Sequence, residues 1–227
     1  MRIRQPEIWL LGALLLIAGL LLIFIFIAQD VFEGETEAFD RSAILAFRSA
    51  GNISDPVGPP WVEEAARDIT ALGSIIVVVI LSGTVIFYLL MIGKRAPALL
   101  LLISVAGGTV LNDLLKYVFD RPRPDLVLHA AQVFTSSFPS GHAAVSAVVY
   151  LTFGALLARN APSIAVKFYV MAVAILLVFL VGVSRVFLGL HYPTDVLAGW
   201  CIGSAWALTC WLVADRLQHG RAAKTRR

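Results

Sequence analysis

Apolar runs of bilayer-crossing length restrict this chain more than any other feature of it. A helix rises 1.5 Å per residue, so about 20 mostly apolar residues cross the hydrocarbon layer, with a range of roughly 17 to 25. Six stretches reach that length: 8–28, 72–92, 97–115, the run from just after His142 to 158, 164–183 and 196–214. The fourth is short and contains Ser146 and Thr152, so hydropathy marks it least clearly. Composition agrees. Of 227 residues, 59% are hydrophobic and 15% charged, against roughly 25% charged in soluble domains. The pattern predicts an all-α fold, a six-transmembrane-helix bundle read as one domain over 1–227, with no internal repeat or low-complexity tract.

The run 8–28 follows Arg2 and Arg4, as a signal peptide would. It is longer than a signal h-region of about 7 to 15 residues, and no small-x-small cleavage site follows, so a retained anchor is expected. Cys201 and Cys210 share one apolar run. Nine residues of helical rise separate them by about 13.5 Å, too far for a disulfide, and they say nothing of redox compartment. The net charge of +3 is no nucleic-acid signal, and no nucleic-acid partner is expected. Its placement is more telling. Arg2 and Arg4, Lys94 and Arg95, Arg159 and Lys167, then Arg216, Arg221, Lys224, Arg226 and Arg227 all fall on one side of the six spans. Basic residues mark the cytoplasmic side. Both termini are therefore expected in the cytoplasm. The acidic loop 30–68 then faces outward.

The loop 29–71 is long for a bundle connection. Phe39, Ala43, Ile44 and Phe47 recur at helical spacing among Glu37, Asp40, Arg41 and Arg48. That spacing predicts a short amphipathic helix on the outer membrane surface, ended by Pro56, Gly58, Pro59 and Pro60. An interfacial anchor is the simpler reading of it; a lid or a lipid-entry wall is the other.

Three polar motifs interrupt the apolar chain. The first, Lys116-x6-Arg123-Pro124, offers a point cation and a guanidinium able to hold phosphate oxygens in a two-pronged grip. Alone, Lys116 reads as a snorkelling interfacial lysine. Arg121 and Arg123 alternate with prolines as in a solvated loop. Asp113, three residues before Lys116, is placed to pair with it on one helical face, and Asn112 and Asp113 are read as structural. The second, Pro139-Ser140-Gly141-His142, reads as a helix start with Ser140 as N-cap. Free amides there bind anions, so the Ser140 hydroxyl and the Gly141 and His142 amides can cradle a phosphate oxygen. The third, Ser184-Arg185-x5-His191-x3-Asp195, is the most specific. An i,i+4 histidine and aspartate share a face if the turn is helical. A carboxylate on one ring nitrogen frees the other to attack, and Pro193 and Thr194 suit a helix starting there. Each motif alone admits a purely structural reading. Four span ends delivering such groups to one outer level, where ionisable side chains are costly, do not.

Together the three motifs resemble the signature of the type 2 phosphatidic acid phosphatase (PAP2) superfamily, matching it at every defining position across the motif-bearing core 116–195; residues 1–70 carry no part of it. The resemblance implies an integral membrane enzyme of the lipid phosphatase branch. In it, His191 is the nucleophile that becomes a phosphohistidine, Asp195 orients it, and His142 protonates the leaving oxygen and then activates water. Lys116, Arg123, Ser140, Gly141 and Arg185 hold the phosphoryl oxygens. Phosphoryl transfer is largely positioning and electrostatics, and no Asp/Glu cluster of magnesium-site character stands in the loops. Metal-independent chemistry with no cofactor is expected.

The expected substrate is a lipid phosphate or pyrophosphate: undecaprenyl pyrophosphate, phosphatidylglycerol phosphate, phosphatidate or the phosphates of lipid A. The motifs grip the phosphate common to all four. A lipid phosphotransferase would use the same site, a haloperoxidase would need vanadate, and an anion transporter would use the cations without needing the His191–Asp195 pair. Partners are the lipid substrate and membrane lipids, and no oligomeric state is implied. The short chain suggests a bacterial inner membrane, with the site facing the periplasm. A neutral His191 working with a protonated His142 predicts a bell-shaped pH–rate profile.

Overall fold

The structure, a computed structural model, describes residues 5–125 and 135–224. Arg2, Arg4, Arg226 and Arg227, used in the topology argument, lie outside them. In order come α1 (Gln5–Glu33), α2 (Glu37–Leu45), strands β1 (Arg48–Ser49) and β2 (Asn52–Pro56), α3 (Pro60–Ala71), α4 (Ile75–Met91), α5 (Arg95–Phe119), α6 (Gly141–Arg159), α7 (Ile164–Phe187) and α8 (Pro193–Lys224). The protein is mostly helical. The helical expectation holds, and a small antiparallel hairpin, β1–β2, is added to it in the link between α2 and α3.

Among the described residues, five helices are long and apolar enough to cross a membrane by themselves: α1, α5, α6, α7 and α8. The stretch expected as the second span is divided. Helices α3 and α4 meet at a 47° bend, and counting the pair as one span brings the number to six. The local sequence explains the break. Ser74 sits in extended backbone as the N-cap of α4, its hydroxyl accepting from the Val77 amide at 3.4 Å. Gly73 before it is pressed so closely that a Cβ there would come within 2.6 Å of Val181 and 3.3 Å of the His142 Cβ.

Helix α6 is the inner one, which explains its weak hydropathy: its faces meet protein rather than lipid. It packs against α5, α7 and α8. The hydroxyl of Ser146 is satisfied by the Ala143 carbonyl at 3.1 Å. Small residues let helix backbones approach closely in lipid, and Gly199 and Gly203 of α8 do so here. A Cβ on Gly199 would lie 2.7 Å from the Ser140 carbonyl oxygen, and one on Gly203 would overlap the Ala144 carbonyl. Two tryptophans of α8 fill space beside glycines of neighbouring helices, Trp206 against Gly107 and Gly108 and Trp200 against Gly182. Their indole N–H groups donate to the Ser104 and Val178 carbonyls at 2.9 and 3.1 Å, because a bare donor in hydrocarbon is costly.

Helix α2 falls on the residues where an amphipathic helix was expected, but its inward face differs. Ile44 is buried and Phe47 meets the Phe187 ring at 5.8 Å, yet Phe39 is exposed and Asp40 is fully buried. Arg48 is buried as well, and its guanidinium donates to the Phe187 carbonyl. Two residues assigned to the polar face thus point into the protein, where Arg121 meets the Asp40 carboxylate and the Phe187 carbonyl accepts from Arg48.

Candidate functional site

Helix α5 ends at Asp120, which adopts a left-handed conformation (φ +39°) and returns its N–H to the Lys116 carbonyl at 3.1 Å. A short polar side chain tolerates that region better than most. The turn sends Arg121 and Arg123 back over the end of the bundle. There they meet the start of α6, the end of α7 and the start of α8. All eight residues anticipated from the motifs belong to these four helix ends and their links. The side chains of Lys116, Arg123, His142, Arg185 and His191 are close enough to feel one another's charge.

Arg123 is the most connected of the anticipated phosphate holders. Its Nε and Nη2 donate to the Thr135 carbonyl and hydroxyl at 3.0 and 3.1 Å. Its Nη1 donates to the Leu190 carbonyl at 3.0 Å and stands 3.2 Å from His191 Nε2. A guanidinium has only donors, so Nε2 is the accepting nitrogen and Nδ1 carries the proton. Lys116 Nζ donates to the Ser136 carbonyl at 2.6 Å. The expected pairing with Asp113 is not formed; Asp113 is exposed, and the incoming loop offers a nearer acceptor.

His191 is 1% exposed. Its Nδ1 has two acceptors at 3.4 Å, Asp195 Oδ2 and the Ser137 hydroxyl. The Asp195 carboxylate is shared widely. Ser137 and the Tyr192 amide donate to Oδ2, the latter at 3.0 Å, and Arg121 Nη1 donates to Oδ1 at 2.6 Å. The Asp195 carbonyl accepts from the Ser140 amide at 2.9 Å, tying the second motif to the third through backbone. Burial pushes the His191 imidazole down to about 3; Asp195 opposes the shift, and Arg185 and Arg123 add to it. The imidazole is therefore neutral at pH 7.

Among the described residues seven buried side-chain polar atoms have no hydrogen-bond partner, and two of them, the Ser140 hydroxyl and Arg185 Nε, belong to the anticipated phosphate holders. Ser140 occupies the N-cap position of α6, yet its side chain makes no capping bond. Arg185 is held from the side by Thr70, whose hydroxyl accepts from Nη1 at 3.2 Å. Unpaired buried donors are rare and costly, and an anion seated among these helix ends would satisfy them. His142 lies in the first turn of α6, with the α3–α4 bend against its backbone. Ser184 bonds back to the Val181 carbonyl at 2.7 Å and serves its own helix.

Sequence reasoning missed four contributors and misplaced one. Ser137, Thr70, Thr194 and Asp40 were not singled out as site residues. Arg121 was read as a solvated loop residue, but its side chain is only 12% exposed. It lies over the Tyr192 ring at 4.4 Å and bridges Asp195 to Asp40. Burial alone would lower its pKa, but the two carboxylates raise it above the ordinary arginine value. The available signal was Asp40 itself, four residues before Ile44 and so on the same helical face as that apolar residue.

A bundle of helices long and apolar enough to cross a membrane, whose ends gather three cations around a buried histidine and its carboxylate, is the arrangement of a class of integral membrane proteins. The PAP2 superfamily model matches residues 97–218, and the chain belongs to that superfamily. It is 31% identical over 196 residues to phosphatidylglycerophosphatase B of Bacillus subtilis (strain 168), covering 82% of this chain and 88% of that protein. It is 32% identical over 123 residues to an undecaprenyl-diphosphatase of Sulfolobus acidocaldarius, covering 51% of this chain and 55% of that one. The crystal structure of a transmembrane PAP2 type phosphatidylglycerolphosphate phosphatase from Bacillus subtilis superposes with a TM-score of 0.71 at 27% identity, over 88% of this chain and 96% of that one. The homologues are membrane lipid phosphatases.

Proposed function

We propose that the protein hydrolyses a lipid phosphate or pyrophosphate through a phosphohistidine on His191. The observation that carries this reading is the 3.2 Å approach of Arg123 to the lone-pair nitrogen of a neutral, buried His191. A phosphoryl group held by Arg123 would sit against that nitrogen. His191 Nε2 attacks phosphorus as the bond to the leaving oxygen breaks, and His142 gives that oxygen its proton. The neutral His142 then takes a proton from water as the water oxygen bonds to phosphorus, the N–P bond breaks to return the lone pair to His191 Nε2, and inorganic phosphate leaves. Lys116, Arg123 and Arg185, with the Ser140 hydroxyl and the Gly141 amide, bind the equatorial oxygens, where charge is spread in the transition state. Asp195 steadies the imidazolium. The reaction needs no metal in this reading: the buried carboxylates Asp40 and Asp195 are both engaged by Arg121.

Counting α3 and α4 as one span gives six crossings, an even number that keeps both termini on one side; the basic residues on that side support a cytoplasmic location for them, with the site facing outward from a bacterial inner membrane and α2 over that face. Likeness to the Bacillus subtilis phosphatidylglycerophosphatase B over most of both chains puts phosphatidylglycerol phosphate first among substrates, ahead of undecaprenyl pyrophosphate, phosphatidate and lipid A phosphates. The test is phosphate release from these four lipids in detergent, with and without chelator. Release that survives chelator supports the reading. Release from none of them, or transfer to an acceptor lipid in place of water, rejects it.

A further inference from the structure

Asp40 is a carboxylate with no exposed surface, in a helix outside the three motifs. Burying a charge costs several kcal/mol unless it is paired and hydrogen-bonded, and its surroundings provide both. Its Oδ2 accepts from Arg121 Nη2 at 2.8 Å and from the Thr194 hydroxyl at 2.6 Å, and its Oδ1 accepts from the Thr194 amide at 3.1 Å. Arg121 is held on every side. Nη2 also reaches the Thr36 hydroxyl at 3.2 Å, Nη1 reaches Thr194 at 2.9 Å and Asp195 at 2.6 Å, and Tyr192 covers one face.

Resting on the phosphatase reading, we infer that Asp40 and Arg121 are a positioning pair for the nucleophile: Asp40 holds one arm of Arg121 so that only the other reaches Asp195. Arginine takes carboxylates bidentately when it is free to do so. With Asp40 gone, both arms turn to Asp195 and draw the carboxylate from its place beside His191 Nδ1. Charge acts in the same direction. One guanidinium between two carboxylates leaves a net negative charge near the imidazole, which favours the cationic phosphohistidine. Asp40 and Arg121 are not among the phosphate-holding groups, so substrate binding stays as it was while chemistry slows. Helix α2 is thereby a working part of the site in addition to a covering for it.

The test compares wild type with Asp40→Asn, Arg121→Lys, Arg121→Gln and the Asp40→Asn/Arg121→Gln double variant, purified in detergent and assayed on phosphatidylglycerol phosphate. The readouts are kcat, KM and the inhibition constant of orthovanadate, which mimics the five-coordinate phosphorus in contact with His191. Asp40→Asn is expected to lower kcat about 10- to 100-fold, the range seen when an outer hydrogen-bond partner of a metal-bound histidine is lost. KM should stay within about twofold and the vanadate constant should rise with the loss of kcat. A purely structural role would reduce the amount of active protein and leave the vanadate constant unchanged. Arg121→Lys, which keeps charge but cannot bridge two carboxylates, should show the same pattern and serves if Asp40→Asn does not fold. The double variant should be no slower than Arg121→Gln. Unchanged kcat and vanadate binding in both single variants, or additive losses in the double variant, overturn the inference while leaving the phosphatase reading intact. Wild-type protein inactive on every lipid overturns both.

Discussion

His191 Nδ1 and Asp195 Oδ2 stand 3.4 Å apart. A strong charge-assisted bond would be about 2.7 to 2.9 Å. The carboxylate sits at this distance because Arg121, Ser137 and the Tyr192 amide already hold it. In the proposed mechanism Asp195 therefore acts on the imidazole mainly through orientation and charge. Asp195→Asn puts an amide donor among groups that themselves donate. It is expected to lower kcat by on the order of 10^3 to 10^4, as in other carboxylate-supported histidines. Ser137→Ala, which removes only one neighbour, should cost about tenfold. Single-turnover rates measure both, and an Asp195→Asn protein within tenfold of wild type would refute the role.

His191→Ala removes the proposed nucleophile. Turnover should fall by about 10^4 or more, and no phosphoenzyme should form. The check is a rapid alkaline quench with a radiolabelled phosphate lipid, since phosphohistidine survives alkali. Label retained on the His191→Ala protein would assign the intermediate elsewhere.

Arg123→Lys tests the fork rather than the charge. The guanidinium spans Thr135, Leu190 and His191 at once, and an ammonium cannot. Losing charge-assisted bonds worth roughly 1.5 to 3 kcal/mol should lower kcat/KM by about tenfold or more, seen in initial rates across substrate concentration.

The acid limb of kcat/KM should lie well below the ordinary histidine range. In the proposed mechanism attack requires neutral His191, and burial holds its pKa at about 3 in the resting site. The nucleophile is therefore competent at every pH above that value, and loses competence only as pH falls toward 3. A phosphate monoester brings its own ionisation near 6, so the profile is corrected for substrate titration. The acid limb expected from an ordinary histidine is thereby displaced to lower pH. A corrected acid limb at about 6.5 would show that His191 titrates as a solvated imidazole.

Gly203→Ala should be structurally damaging, because its Cβ would overlap the Ala144 carbonyl at the α6–α8 contact. Overpacking of this kind costs about 1 to 3 kcal/mol. Gly12 of α1 has nothing within 4 Å of a built Cβ, and Ala there should be neutral or stabilising by roughly 0.5 to 1 kcal/mol. Thermal unfolding in detergent compares the two. Equal midpoints would mean that α6 and α8 do not approach so closely.

Hydropathy and short spacings carried much of this protein's description because they are local properties. A run of apolar residues spans a membrane wherever it lies in a fold, and Pro193 can open a helix with Asp195 in its first turn without knowing its neighbours. The three motifs could likewise be read from the chain, since each occupies a helix end or the short link between two consecutive helices. Contacts between remote segments had no such mark. Arg121 and Asp40 are separated by 81 positions, Ser137 and Asp195 by 58, and Arg185 and Thr70 by 115. An arginine between prolines looks the same in sequence whether water or two carboxylates surround it. Only packing of α2 against the start of α8 removed the water and made Asp40 a partner. The bend between α3 and α4 was hidden for the same reason: Gly73 is close-packed only because α6 and α7 press on it. Which residues can do chemistry was thus a matter of type and local spacing, whereas which of them are held in place, and by what, depended on burial that arises when distant helices meet.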